Sequence, residues 1–261
     1  MTINVSDQTS PTIAVITGAS SGIGRQFALY LDEDERLDEI WLCARREERL
    51  QELAGALSKK SRILAGDVTD EKWRDYLKNE LVDSDAQIHT LINSAGFGKF
   101  DAFCDIDCNE RMVEVNCQAL TAICHLCLPH IKKGGRILNL ASVAGFMPQY
   151  NAAVYAASKA YVISFSRALH QELKDRAITV TAVCPNPMET EFFEASGIEL
   201  SNNPIKKIGV EKVEQVASKA LKRSEKGKDL SVCSVSAKSL RLLSRVLPHR
   251  LVLWFERISG F

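Results

Sequence analysis

Residues 12–24 read TIAVITGASSGIG. The first six are β-branched or apolar without alternation, the pattern of a strand buried on both faces in a parallel sheet. Glycines follow at 18, 22 and 24, and QFALYLDED continues with helical character. Strand, glycine turn and helix in that order can hold a phosphate. Gly18 would supply the tight turn, Gly22 would let a phosphate approach the backbone, and Gly24 would let helix and strand pack closely. The helix start adds free N–H groups and the positive end of its dipole, suited to a pyrophosphate. A lone glycine turn can be only a turn; its place after the first strand favours the binding reading. No GK[ST] sequence follows, so this is not a nucleoside-triphosphate loop.

Working outward, the same alternation repeats. Further strands are expected at IWLCA (40–44), RILAG (62–66, running into Asp67), HTLINSAG (89–96), GGRILNLAS (134–142), ITVTAVCP (178–185) and DLSVCSV (229–235). Between them lie helical stretches: REERLQELAGALSKK, TDEKWRDYLKNEL with Thr69 as cap and Lys72 where a capping box would want Glu, then 107–132, 152–175 and about 210–226. Strands and helices alternating through short joins give an α/β fold. The expectation is a single doubly wound Rossmann domain over 1–261, with a seven-stranded parallel sheet and right-handed crossovers that put helices on both faces.

Bulk properties agree with one full-sized domain. The chain has 261 residues, 46% hydrophobic and 25% charged, and its 33 basic and 33 acidic residues cancel. A zero net charge gives no reason to expect nucleic acid. Eight cysteines lie at 43, 104, 108, 117, 124, 127, 184 and 233, several inside apolar runs. They read as small hydrophobes of a reduced, cytoplasmic protein rather than disulfide staples. Cys124 and Cys127 flank His125 in CHLC, but no second pair follows at finger-like spacing, so no metal is expected. MTINVSDQTSPT lacks the pattern of a secretory signal, and no run of about 18 apolar residues suggests a membrane span.

The second strand should end near an adenosine ribose, where a carboxylate would grip the 2′-hydroxyl of NAD. Here it ends LCARR: Cys43 stands where the acid would be wanted, and Arg45 and Arg46 follow. Arginine can meet a 2′-phosphate with several directed donors, so NADP(H) is expected in preference to NAD, with Arg45 the first choice as reader. Solvation of a helix start is the plainer account of these arginines, but cations are disfavoured at that end of a helix dipole.

YAASK places Tyr155 and Lys159 four residues apart, on one face of a helix. With the glycine loop, Asp67-Val68, NSAG (93–96), Asn116 in VEVNCQAL and Ser142, the sequence resembles the short-chain dehydrogenase/reductase family over roughly residues 12–235. The resemblance implies reversible alcohol–carbonyl oxidoreduction with a nicotinamide cofactor. It assigns Gly18, Ser20, Ser21, Gly22, Ile23 and Gly24 to the cofactor loop, with Asp67 near the adenine amino group and Val68 beside it. Asn93, Ala95, Gly96, Pro185 and Thr190 complete the cofactor contacts, which Tyr155 and Lys159 share. Asn116, Ser142, Tyr155 and Lys159 become the catalytic set. Tyr155 would serve as acid in reduction and base in oxidation, Ser142 would bond the substrate oxygen, and Asn116 would hold its helix and a relay water. A free phenol has a pKa of about 10, so Lys159 is expected to stabilise the phenolate and lower it.

The chain departs from the family after the sixth strand. CPNPMET has Asn186 in the usual place of a glycine, a residue tolerant of left-handed angles. Residues 188–210 are expected to form a substrate lid. Phe146, Met147, Phe192 and Phe193, joined by Tyr150, would line a pocket for an apolar, medium-sized ketone, aldehyde or alcohol. The same residues could instead be the core of a small flap. The tail, 239–261, interleaves apolar positions with Arg241, Arg245, Arg250 and Arg257, and Pro248 breaks it. It could cover the cleft, pack on a partner subunit or rest on a membrane surface; packing within a homodimer or homotetramer is preferred over membrane contact. The leading function is an NADP(H)-dependent oxidoreductase. The alternative is a cofactor-binding regulatory or scaffold protein with weak turnover.

Overall fold

The computed structural model describes residues 10–192 and 209–259. In β1 (Thr12–Thr17), Ile13 and Val15 enter one apolar layer while Ala14 and Ile16 enter the other. β2 (Glu39–Ala44) divides likewise, Trp41 and Cys43 against Ile40 and Leu42. Double-sided burial is why these strands show no polar alternation. β3 (Lys60–Ala65), β4 (Gln87–Asn93), β5 (Ile131–Leu140), β6 (Thr179–Cys184) and β7 (Leu230–Val232) complete one sheet of order β3-β2-β1-β4-β5-β6-β7. Every pairing is parallel.

Helices cover both faces. α1 (Gly22–Leu31), α2 (Glu47–Ala56) and α7 (Val213–Glu225) bury Phe27, Leu31, Leu50, Leu53 and Val216 on one side. α3 (Glu71–Asp83), α4 (Asn109–Val113), α5 (Leu120–Cys127) and α6 (Ala153–Glu172) lie on the other side, where Trp73, Leu77, Ile123 and Val162 join the second layer. Each such side chain contributes roughly 1.5–3 kcal/mol when fully buried. α8 (Val235–Val246) and α9 (His249–Ser259) follow the last strand, separated at Pro248. The seven-stranded parallel sheet with helices on both faces is thus as the alternating pattern predicts.

Several local expectations need correction. Residues 107–132 are not one helix: a π-helical turn, Glu114–Ala119, interrupts α4 and α5, and a 3₁₀ turn at Leu128–His130 ends the run. β5 begins at Ile131, opposite Ile88; the register then shifts so that Thr90 faces Arg136, with Gly134 at φ +83° in the irregular stretch. The cap of α3 is Asp70, which accepts from the Lys72 N–H, while Thr69 turns back to Asp67.

Strand order reverses between β1 and β4, whose carboxyl ends open a crevice where ligands of such sheets bind. The loops after the strands therefore decide what the molecule can hold.

Candidate active site

A cavity of about 1390 Å³ lies along the carboxyl edge of the sheet. Its floor begins with the loop after β1. Gly18 and Gly22 adopt φ +68° and +52°, open to glycine but strained for other residues. A Cβ on Gly18 would lie 2.7 Å from the Ala95 nitrogen, and one on Gly24 would lie 2.2 Å from the Gly18 carbonyl oxygen. Only glycine lets α1 start this close to β1 and β4. Ser21 occupies the N-cap of α1 without a side-chain capping bond, so the first N–H groups of the helix remain available at the cavity wall. This bare helix start under glycine backbone fits a dinucleotide pyrophosphate. We expect Gly24→Ala to cost about 1–3 kcal/mol through overpacking and to weaken nucleotide binding, read by thermal melting and by titration.

The loop after β2 supplies the cations. Cys43 is fully buried and paired opposite Thr17, with its thiol pKa pushed far up by burial. The residue facing the cavity at the strand end is Ala44, one position later than the sequence reading placed the recognition point. Arg45 and Arg46 both line the cavity. Arg46 bonds Ser20 Oγ at 3.2 Å and Ser21 Oγ at 2.8 Å, and pairs with Glu191 at 2.8 Å; Arg49 joins the same carboxylate. Thus Arg46, the second choice on sequence, is the one laid over the glycine loop.

After β3, Gly66, Asp67 and Val68 enter the lining. Asp67 accepts from the Thr69 N–H at 2.9 Å and Oγ1 at 2.8 Å, and from Arg111 at 2.6 Å. Burial raises its pKa, but those hydrogen bonds, with Arg111 and Arg45 nearby, more than offset this and hold it below the ordinary value. The carboxylate is therefore fixed and charged where the loop after β3 lines the cavity. Ala95 and Gly96 follow β4 in the lining, as does Ser94, whose hydroxyl bonds the Thr17 carbonyl at 2.5 Å. Asn93 stays out of it: its amide is buried in the sheet, donating to Asn139 at 2.9 Å.

At the other end stand Ser142, Tyr155 and Lys159. Ser142 caps the turn after β5, accepting from the Ala144 N–H, and its hydroxyl lies near enough to the Tyr155 phenol to act on its titration. Tyr155 packs between Phe100, 4.9 Å between ring centroids, and Phe192, 5.8 Å. Lys159 lies one helical turn on, its Nζ donating to the Leu140 carbonyl at 2.9 Å and 5.6 Å from the Tyr155 ring centroid. Burial pushes the phenol up to about 12, the Ser142 hydroxyl opposing it, and pushes the ammonium down to about 8. The expected lowering of the phenol by Lys159 is not what this geometry yields. Nζ is aimed at Leu140, and both groups pay for charge in a buried site. The phenol keeps its proton at neutral pH and is an acid in waiting.

Asn116 is buried in the π-helical turn outside the cavity wall. Its amide donates to the Phe97 carbonyl at 2.9 Å and Ser158 Oγ at 3.1 Å, while Oδ1 accepts from the Phe97 N–H. It pins the loop after β4 to α6, next to Lys159. A wider turn of this kind is common at functional positions. Pro185 and Thr190 line the cavity, Thr190 lying directly beside Gly22.

The sequence profile described as short chain dehydrogenase matches residues 12–200. The chain belongs to the short-chain dehydrogenase/reductase family. It is 38% identical over 191 residues to sulfoacetaldehyde reductase 2 of Chromohalobacter salexigens, covering 69% of this chain and 74% of that one. A short-chain dehydrogenase from Sphingobium yanoikuyae in complex with NADPH superposes with TM-score 0.77 at 29% identity, covering 90% and 93% of the two chains. The bulky-bulky ketone specific alcohol dehydrogenase from Comamonas testosteroni does so at 0.73 and 27%, covering 91% and 92%.

This short-chain dehydrogenase/reductase also uses residues that sequence reasoning missed. Asn186 is not in the left-handed region expected for a glycine substitute. Its amide instead donates to Ser234 Oγ at 3.1 Å and Ser236 Oγ at 3.0 Å at the start of α8, and its N–H donates to buried Glu211. Asparagine here ties the loop after β6 to the C-terminal helices. Those helices wall the cavity: Leu240 and Glu256 face it, and Glu256 accepts from the Tyr150 N–H at 2.7 Å. Phe97, Phe100, Tyr150 and Phe192 line the cavity. Phe146 packs on the main core and Met147 is buried away from the lining, while Phe193 and most of 188–210 lie outside the described residues.

Proposed function

We propose that this chain is an NADP(H)-dependent oxidoreductase that interconverts an apolar, medium-sized ketone or aldehyde and its alcohol. One observation carries the reading: a buried, protonated phenol stands where a glycine-floored nucleotide crevice meets an aromatic chamber, within one cavity. The nicotinamide, when bound, supplies or receives the hydride. The glycine loop and the start of α1 would hold the pyrophosphate, Arg45 and Arg46 the 2′-phosphate, and Asp67 with Val68 the adenine. Ser142 would orient the substrate oxygen by hydrogen bond. Tyr155 would donate its proton to the oxygen as negative charge develops there, and reclaim it in the reverse direction. Lys159 would stabilise the transient phenolate, and Asn116 would keep α6 and the loop after β4 in place, with a water relaying protons to Lys159.

Glu191 competes with a 2′-phosphate for Arg46. Glu191→Gln is therefore expected to tighten NADPH severalfold and leave NADH unchanged, measured by nicotinamide fluorescence. A cytoplasmic homodimer or homotetramer packed through α5 and α6 is part of the proposal; on α6, Tyr161 is exposed and stacks on Phe165.

The test is NADPH consumption against a panel of bulky apolar ketones and aldehydes, with sulfoacetaldehyde included. The expected result is a kcat/KM for the apolar compounds at least tenfold above that for sulfoacetaldehyde. A strict preference for the small charged aldehyde would overturn the substrate reading.

A further inference from the structure

Both C-terminal helices are sided. Their inner sides meet the cavity through Leu240 and Glu256, and Ala237 is fully buried. Their outer sides carry Leu242 and Val246 on α8, 65% and 75% exposed, and Leu251, Trp254, Phe255 and Ile258 on α9, all more than half exposed. The α9 set has the spacing i, i+3, i+4, i+7 of a single stripe. Most soluble surfaces do not gather large apolar side chains in this way.

Charge decides what this face meets. Lys238, Arg245, Arg250 and Arg257 are exposed in the same segment. Between Ser234 and Ser259 the sequence has one acid, Glu256, and it turns inward to the Tyr150 N–H. A second copy on a two-fold axis would set this cationic face against itself, with no carboxylate to answer it. An anionic bilayer answers both properties: acyl chains take the leucines and Trp254, and headgroups take the arginines. No helix of the described residues is long and apolar enough to cross a membrane, so the segment can only lie along the surface.

We propose that the outer face of α8 and α9 docks the protein on the surface of an anionic lipid bilayer. This stands apart from the catalytic reading, since it needs no turnover. The test is co-sedimentation of the full chain with phosphatidylcholine vesicles, with and without phosphatidylglycerol, at low and high salt. Two double variants accompany it, Leu251→Asp with Trp254→Asp and Arg250→Glu with Arg257→Glu, their folding checked by melting. The expected result is binding to the anionic vesicles, at least tenfold weaker without phosphatidylglycerol, at high salt or in either variant. Absence of binding to anionic vesicles would overturn the proposal, as would binding unchanged in both folded variants. So would sedimentation velocity showing a dimer that the Leu251/Trp254 variant dissociates while the parent ignores vesicles.

Discussion

Tyr155→Phe is expected to lower turnover by about 10²–10⁴-fold, the usual weight of a positioned general acid. NADPH affinity should stay nearly unchanged. The substitution removes one oxygen and leaves the ring against Phe100 and Phe192. Ser142 keeps its bond from the Ala144 N–H, so the turn after β5 has no reason to move. The loss should fall on kcat, because the proton is needed only as charge develops on the substrate oxygen. Steady-state kinetics beside a fluorescence titration separates the two effects. Near-normal kcat in a folded variant would remove Tyr155 from its role.

Lys159→Met should cost about a hundredfold or more in turnover, and yet raise stability at neutral pH. Burial lowers the ammonium from its ordinary 10.5 to about 8. Between those values the unfolded chain holds a proton that the folded chain has released, so this residue makes stability rise with pH from about 8 to 10.5. Below pH 8 the cost of burying the charge is fully present. Methionine removes it while forfeiting the bond to Leu140, for a net gain on the order of 1–2 kcal/mol at pH 7. Melting curves across pH 7–10 should show a higher Tm and a flatter slope than the parent. Tyr155 imposes the opposite sign above that window, because its raised pKa of about 12 makes stability fall as pH climbs from 10. A lower Tm at pH 7 with the parent slope retained would contradict the assignment. Activity bought at the expense of stability is a common arrangement in catalytic sites.

The architecture was legible because double-sided burial leaves a plain mark. Ile13, Val15, Ala14 and Ile16 serve two layers, and nothing polar fits between them. The glycine loop was legible because Gly18 and Gly24 answer steric demands that no side chain meets. What failed to show depended on contacts distant in sequence. Cys43 and Ala44 differ by one pleat, and only the register with β1 tells which faces the crevice. Asn186 was read through its backbone tolerance, whereas its amide acts across 48 residues on Ser234. Asp70 displaced Thr69 as the α3 cap because Thr69 is recruited by Asp67. Helical periodicity in 107–132 hid the π turn, since one wide turn barely disturbs the spacing of apolar positions. Glu256 carries no mark of its role in the sequence; only the packing of α9 places it at the cavity.

The proposed preference for NADP(H) rests on Arg45 and Arg46, which line the cavity after β2. Titrating the purified chain with NADPH and with NADH, followed by nicotinamide fluorescence, tests it directly. The account predicts NADPH binding at least tenfold tighter, a difference of about 1.4 kcal/mol or more, carried by Arg45 and Arg46 on the 2′-phosphate. Equal affinities, or a preference for NADH, would contradict it.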